Sequence, residues 1–366
     1  MSAEFEYIFP SIRGVQAGRE YYVSMCPLRI IPKIFIFNEE ELLPELRAQR
    51  VLNKARIPEM SRYLMENRDS YVFSAITASI DGKVSFEPIG DNGESHRLGT
   101  LHVPMDASFI INDGQHRRAA IEQALHEHPE IGDEHISVVF FMDVGLDRCQ
   151  QMFADLNRYA IRPSPSLGLL YDHRDEAAQV TKKIVLESDV FRDVVEGEKT
   201  TLSARSRKLF TLSAVHKATV DLLNGLDEKC SDDLASDAME FWTEVDRTIP
   251  EWALVRKSKI TSGEVRQTFL HSHGIALQAI GRLGNSLLRI PKSKRAKAIS
   301  KLKTVDWSRS NGKLWEGRAM LGGRVSKASQ NITLTTNALK IHVGVDLNPE
   351  ELRVEAAFAR GDYERK

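Results

Sequence analysis

Hydrophobic positions in the first half of the chain alternate between short unbroken runs and helically spaced stripes. Residues 30–37 form a β-branched and aromatic run broken by Pro32, and residues 39–46 read as a helix. A further helix is predicted from Arg56-Ile57-Pro58, with Pro58 in its first turn and Ile57, Met60, Tyr63 and Leu64 at helical spacing. Residues 71–80 predict a strand, and Asp81-Gly82 followed by residues 83–86 is the strongest hairpin signal in the chain. Residues 90–102 are polar and contain glycine, as surface loops do. Residues 107–112 predict a short strand running into Asp113-Gly114. Residues 115–126 then predict a helix with Ala119, Ala120, Ala124 and Leu125 on its apolar face. Residues 136–143 predict a buried strand and residues 146–159 the helix after it. Successive strand–helix units favour an α/β or α+β core.

The pattern changes near Arg162-Pro163-Ser164-Pro165. Residues 164–186, 213–226, 233–248, 262–288 and 294–302 all read as helices, and strand signals are scarce until residues 331–345. A first domain over residues 1–165 and a mainly helical one over 166–366 are expected, and the length of 366 residues agrees with two domains.

Composition narrows the class. Hydrophobic residues make up 42% and charged residues 28%, as in folded globular chains. Apolar runs such as residues 136–142 are far too short for a bilayer span, and the acidic opening lacks the pattern of a secretory signal. Cys26, Cys149 and Cys230 are odd in number and widely spaced, which suggests neither a disulfide framework nor a zinc site. A cytoplasmic location without membrane contact is expected. Net charge is −1, yet Lys292, Lys294, Arg295, Lys297, Lys301 and Lys303 follow one another without an acid before Asp306. That run reads either as a surface for a phosphate backbone or as a solvated helix face.

One segment carries chemistry. From Phe109 to Ala120 an apolar strand passes through Gly114 straight into a helix with Arg117 in its first turn. The first amides of a helix lack partners within it, and with the helix dipole they attract anions. Gly114 permits a sharp turn and close ligand approach. Arg117 would add a planar fork for phosphate oxygens, Asp113 would hold magnesium or orient Arg117, and His116 would donate to phosphate or move a proton. Each residue alone also fits an ordinary turn, a buried imidazole or a salt bridge. The five in order at a strand–helix junction favour the anion site.

Asp113-Gly114-Gln115-His116-Arg117, with its flanks Ile110-Ile111-Asn112 and Arg118-Ala119-Ala120, resembles the signature of the DGQHR-domain family. More broadly, the turn is similar to the phosphate-binding turn of the ParB/sulfiredoxin superfamily. Residues 47–58 resemble the upstream element that flanks its nucleotide pocket, and residues 153–158 resemble its Phe-x-x-x-Asn segment. The resemblance covers residues 5–200. It implies an α+β fold, with a mixed-sheet N-terminal domain and a mostly helical C-terminal one. It also implies a nucleotide site at Gln49, Arg50, Asn53, Gly114, Gln115, His116, Arg117 and Asn157. The ligand would be ATP or another NTP, with or without Mg2+ on Asp113. Among DGQHR proteins, the length and helical second half most resemble the DndB family of DNA phosphorothioation (sulfur modification). That likeness implies a bacterial DNA-binding regulator acting with other proteins of such a system and assembling as a homo-oligomer. The alternative is a Mg-dependent NTPase, coupled in some relatives to DNA nicking, with Asp113, His116 and Arg117 catalytic. DNA contacts are expected from Lys292, Lys294, Arg295, Lys297 and Lys301.

The chain departs from related patterns too. It has no Gly-x-x-x-x-Gly-Lys-Ser/Thr string, so P-loop mechanics do not apply. Gln115 stands where sulfiredoxin has its cysteine, which excludes thiol repair at that position. His271 and His273 fall in a predicted helix, where their spacing sends them to different faces. Asp172-His173-Arg174-Asp175 is expected on an exposed helix surface. Trp307 and Trp315 among Arg309, Lys313 and Arg318 suggest either a single-strand platform or ordinary packing.

Overall fold

A computed structural model describes residues 5–35, 53–142, 146–158, 163–226, 230–326 and 328–361. The chain divides into two compact units, Met1–Ile161 and Arg162–Lys366. Among the described residues no helix is long and apolar enough to cross a membrane. The expected α+β class holds: a mixed sheet in the first unit, helices in the second.

The first unit is built on β1 (Glu6–Gln16), β2 (Arg19–Pro27), β3 (Ile76–Asp81), β4 (Ser85–Pro88), β5 (Leu98–Pro104), β6 (Ser108–Asp113) and β7 (His135–Phe141). Their order across the sheet is β4-β5-β1-β2-β7-β3-β6, with β3 parallel to β7 and the other pairs antiparallel. Helices α1 (Ile31–Ile34), α2 (Ile57–Glu66), α3 (Gln115–Glu127) and α4 (Leu146–Arg158) complete it. Period-two burial on β7 sends Ile136, Val138 and Phe140 into a core shared with Ile111 of β6 and Ile121 of α3. α2 packs against α3, and α4 against β6.

Three expectations for this unit are corrected. The run at residues 30–37 is helical through Ile34, because Pro32 sits in the first turn of α1 and its side chains Ile31 and Ile34 are buried. Asp81-Gly82 does not close a hairpin. β3 pairs with β6 and β7, whereas β4 pairs with β5 at the opposite edge. Gly82 lacks the positive φ that a tight primed turn needs. Residues 98–102, expected as loop, form most of β5, whose Gly99, Leu101 and Val103 face inward. Gly99 is there because a Cβ would stand 2.1 Å from the Glu87 carbonyl oxygen. The helix expected at residues 39–46 lies outside the described residues.

The second unit contains α5 (Pro165–Tyr171), α6 (Glu176–Glu187), α7 (Leu212–Leu223), α8 (Ser231–Asp246), α9 (Pro250–Arg256) and α10 (Ser262–Thr268). It continues with α11 (Gly274–Leu288), α12 (Lys292–Ser300), α13 (Gly312–Trp315), α14 (Ser329–Val343) and α15 (Pro349–Ala359). α11 lies along α7 at close range, since a Cβ on Gly281 would meet the Ala218 carbonyl oxygen at 2.3 Å. Phe191, Phe210, Trp242 and Trp252 interlock edge to face beside them, apart from a tilted Trp242–Trp252 contact.

Here too some expectations fail. Residues 164–186 split at Asp172–Asp175. The Asp175 carboxylate accepts from Ala177 and Ala178 N–H at the start of α6, and Asp172 accepts from Arg174 and Asp175 N–H. Those amides hold the Asp172 carboxyl below its usual range. His271 and His273 sit in the break between α10 and α11 rather than on a helix. Residues 331–345, expected as strand, are helical through Val343 in α14. Burial of the helix overrides its β-branched residues, and Thr335 and Thr336 return their hydroxyls to the Asn331 and Ile332 carbonyls at 2.7 and 2.8 Å.

Candidate functional site

The motif lands where its sequence places it. β6 ends at Asp113, Gly114 turns the chain at φ 114°, and Gln115 opens α3. A side chain at Gly114 would crowd the site: its Cβ would stand 3.0 Å from Ile76 Cγ1 and 3.1 Å from Arg117 Nη2. Glycine is therefore needed for both conformation and space.

Arg117 turns back across the junction. Its Nη2 donates to Asp113 Oδ2 at 2.7 Å and to the Ala75 carbonyl at 3.0 Å. Nε is buried without an acceptor among the described residues. Asp113 is the more open partner, at 44% side-chain exposure against 16%. His116 Nε2 accepts the Asn53 N–H at 3.2 Å, and Asn53 Oδ1 in turn accepts from Ala55 N–H. The fold thus brings the upstream element to the first turn of α3. Gln115 is buried and holds its amide against the end of β6, Nε2 lying 3.3 Å from the Ile111 carbonyl.

One other expected member is not brought in. Asn157 is exposed on α4 and donates to the Phe153 carbonyl one turn back. Gln49 and Arg50 lie outside the described residues. Among the described residues no group of three or more His, Cys, Asp or Glu side chains could hold a metal. A lone Asp113 carboxylate suits only a hard cation that takes its other oxygens from water and phosphate.

Two residues beside the motif matter more than the sequence reading gave them. Arg118 donates to the Phe35 and Pro32 carbonyls and pairs with Glu122, anchoring α3 to the α1 segment. Asn112, fully buried, donates to Ser79 Oγ at 2.8 Å and reaches Met152 of α4, while its Oδ1 has no donor among the described residues. For Asn112, a polar residue inside an apolar strand was the available signal.

The basic run forms α12 and the turn after it, and its charges are not equivalent. Arg295 is buried, with Glu240 at 3.1 Å and Glu244 at 3.4 Å. Lys292 also binds Glu240, and this hydrogen bond is the main cause holding the Glu240 carboxyl below its usual range. Lys301 donates to the Val343 carbonyl at the end of α14. Lys294 and Lys297 are exposed. α12 has no acid in its first turn, so Lys292 and Lys294 oppose its dipole there. The aromatic candidates belong to the core: Trp315 is fully buried and stacks on Trp307 with centroids 5.4 Å apart.

A family model, DndB, described as DNA-sulfur modification-associated, matches residues 9–346. No curated protein and no solved structure matches the chain.

Proposed function

Because the chain belongs to the DndB family of DNA-sulfur modification-associated proteins, we propose that it is a DNA-binding regulator of such a system, governed by a nucleotide at the Gly114 turn. The observation that carries the nucleotide half is the junction itself. A left-handed glycine opens a thirteen-residue helix beside a guanidinium whose Nε is buried without an acceptor among the described residues. Such an N-terminus favours phosphate oxygens through its amides and dipole. A ligand oxygen reaching Nε would satisfy a buried donor that has no acceptor among the described residues. Asp113, already on Arg117, positions that guanidinium and keeps an oxygen for a phosphate-bound Mg2+.

The DNA half rests on α12. Lys294 and Lys297 carry its outward charge, Lys292 and Lys301 flank them, and Arg295 supports the helix from within. Nucleotide binding would act by favouring DNA-competent conformers.

The test measures nucleotide binding by calorimetry, with and without magnesium, and DNA binding by gel shift with and without nucleotide. A regulator binds nucleotide without turnover, and Arg117→Ala weakens both that binding and its effect on DNA. Turnover abolished by Asp113→Ala would instead assign the turn to an NTPase. Absence of nucleotide binding in the wild type would overturn the reading.

A further inference from the structure

The parallel ladder between β3 and β7 begins at the Ile76–Val138 pair. Upstream, residues 71–75 join no ladder among the described residues, while β7 continues back to His135 paired with β2. Two chains positioned to continue as parallel neighbours part instead. The gap between them is a cleft of about 410 Å3, within the size range of small-ligand sites.

Its walls are organised. Tyr71 and Phe73 meet edge to face at 5.6 Å, and Phe73 lies 6.1 Å from Tyr63. The Tyr63 hydroxyl accepts the Val72 N–H at 2.9 Å, fixing the segment between the two rings. The Tyr71 hydroxyl donates to Glu134 Oε2 at 2.5 Å, locking ring and carboxylate together. Burial, reinforced by that carboxylate, pushes the Tyr71 phenol up, so it stays a donor. Ser137 of β7 lies across from the rings, and the lining also takes in Met25 and Leu28 and the charged or polar Arg68, Asp69, Ser70 and His135.

A strand edge released from its ladder presents main-chain donors and acceptors side by side. An exocyclic amine next to a ring nitrogen is complementary to that pattern. Aromatic walls stack planar heterocycles. The same segment also reaches the Gly114 turn: just after Phe73 come Ala75, whose carbonyl accepts from Arg117, and Ile76, which lies against Gly114.

We propose that this cleft receives the purine base of the nucleotide whose phosphates sit at the Gly114 turn, an inference that rests on the nucleotide reading above. Calorimetry on the full chain with ATP, GTP, adenosine, guanosine and inorganic tripolyphosphate tests it. Phe73→Leu keeps apolar bulk and removes a stacking face, and Ser137→Phe fills the cleft from the opposite wall. Phe73→Leu should weaken ATP or GTP about tenfold, the scale of one lost base stack. Ser137→Phe should weaken it more, and tripolyphosphate binding should be unchanged in both. If wild type binds tripolyphosphate as tightly as ATP and GTP, and both variants match it, the cleft proposal falls and the turn reading stands. If a purine nucleoside binds, Ser137→Phe abolishes it and tripolyphosphate does not bind, the cleft stands and the turn reading falls. A wild type that binds none of these probes overturns both.

Discussion

Arg117 reaches back one helical turn to Asp113, Nη2 to Oδ2 at 2.7 Å, and so fastens the start of α3 to the last residue of β6. The pair is half-open to solvent on the Asp113 side, so its contribution to stability is small. Arg117→Ala is expected to weaken nucleotide binding ten- to a hundredfold, the scale of lost charge-assisted hydrogen bonds. Arg117→Lys should fall between, because a point charge cannot reproduce the fork. Calorimetric titration checks both, with melting curves confirming the fold.

Gly114→Ala tests the turn rather than the charge. At φ 114° a side chain is strained, and its Cβ would press on Ile76 and the Arg117 guanidinium. The expected cost is about 1–3 kcal/mol of stability, with a larger proportional loss of nucleotide affinity as Arg117 is displaced. Denaturant unfolding and calorimetry separate the two effects.

The α12 charges should divide into surface and support. Lys294→Glu with Lys297→Glu should leave unfolding unchanged and lower DNA affinity at low salt. The slope of log K against log salt should fall by about 2, from two lost phosphate contacts. Arg295→Ala should instead destabilise the second unit by about 3 kcal/mol, somewhat less than for a fully buried pair because Glu240 is 39% exposed. Fluorescence-monitored unfolding and salt-dependent gel shifts distinguish these outcomes.

Acid should weaken the second unit through its histidines. His271 is 1% exposed, accepts the Trp252 indole N–H at 3.0 Å and lies among Phe269, Trp252 and Trp307. Burial holds its imidazole below the usual range, with Glu251 pulling the other way, and burial also lowers His273 and His216. The unfolded chain therefore binds more protons than the folded one below the ordinary histidine value of about 6.5. Stability from these groups is complete above that pH and is lost as pH falls below it. Tm is expected to be level above about pH 6.5 and to decline beneath it, and His271→Gln, which still offers Trp252 an acceptor, should shallow the decline.

Local signals read correctly where local chemistry decides. The β6–Gly114–α3 junction needed only an apolar run, a glycine and a helical stripe, all contiguous. The β1–β2 hairpin went unread because it turns at Ala17-Gly18, both at positive φ, without the asparagine or aspartate that marks such turns. β5 was hidden by Gly99, whose reason is the Glu87 carbonyl on a neighbouring strand. Residues 331–345 misled because burial of α14 outweighs β-branched preference. At the site, the family likeness put Asn53 and His116 in one nucleotide site but not in contact, and no local pattern marks an amide 63 positions away as the partner of that imidazole. The separation of Arg295 from Lys294 and Lys297 depends on which way α12 faces, and neighbouring charges do not record that.

The sheet order has a consequence for assembly. β4, β5, β1 and β2 form a continuous antiparallel array, β3 and β6 form a separate pair, and among the described strands β7 joins the two. A nascent chain emerging as far as Asp113 has the motif's strand and its partner in hand, and side chains such as Tyr7 on Phe109 can hold them near the array, but among the described residues no strand yet hydrogen-bonds the pair to it. The junction gains its scaffold only after Phe141 has been made. Ligand competence should therefore arise late and all at once during synthesis, with long-range strand insertion setting its pace.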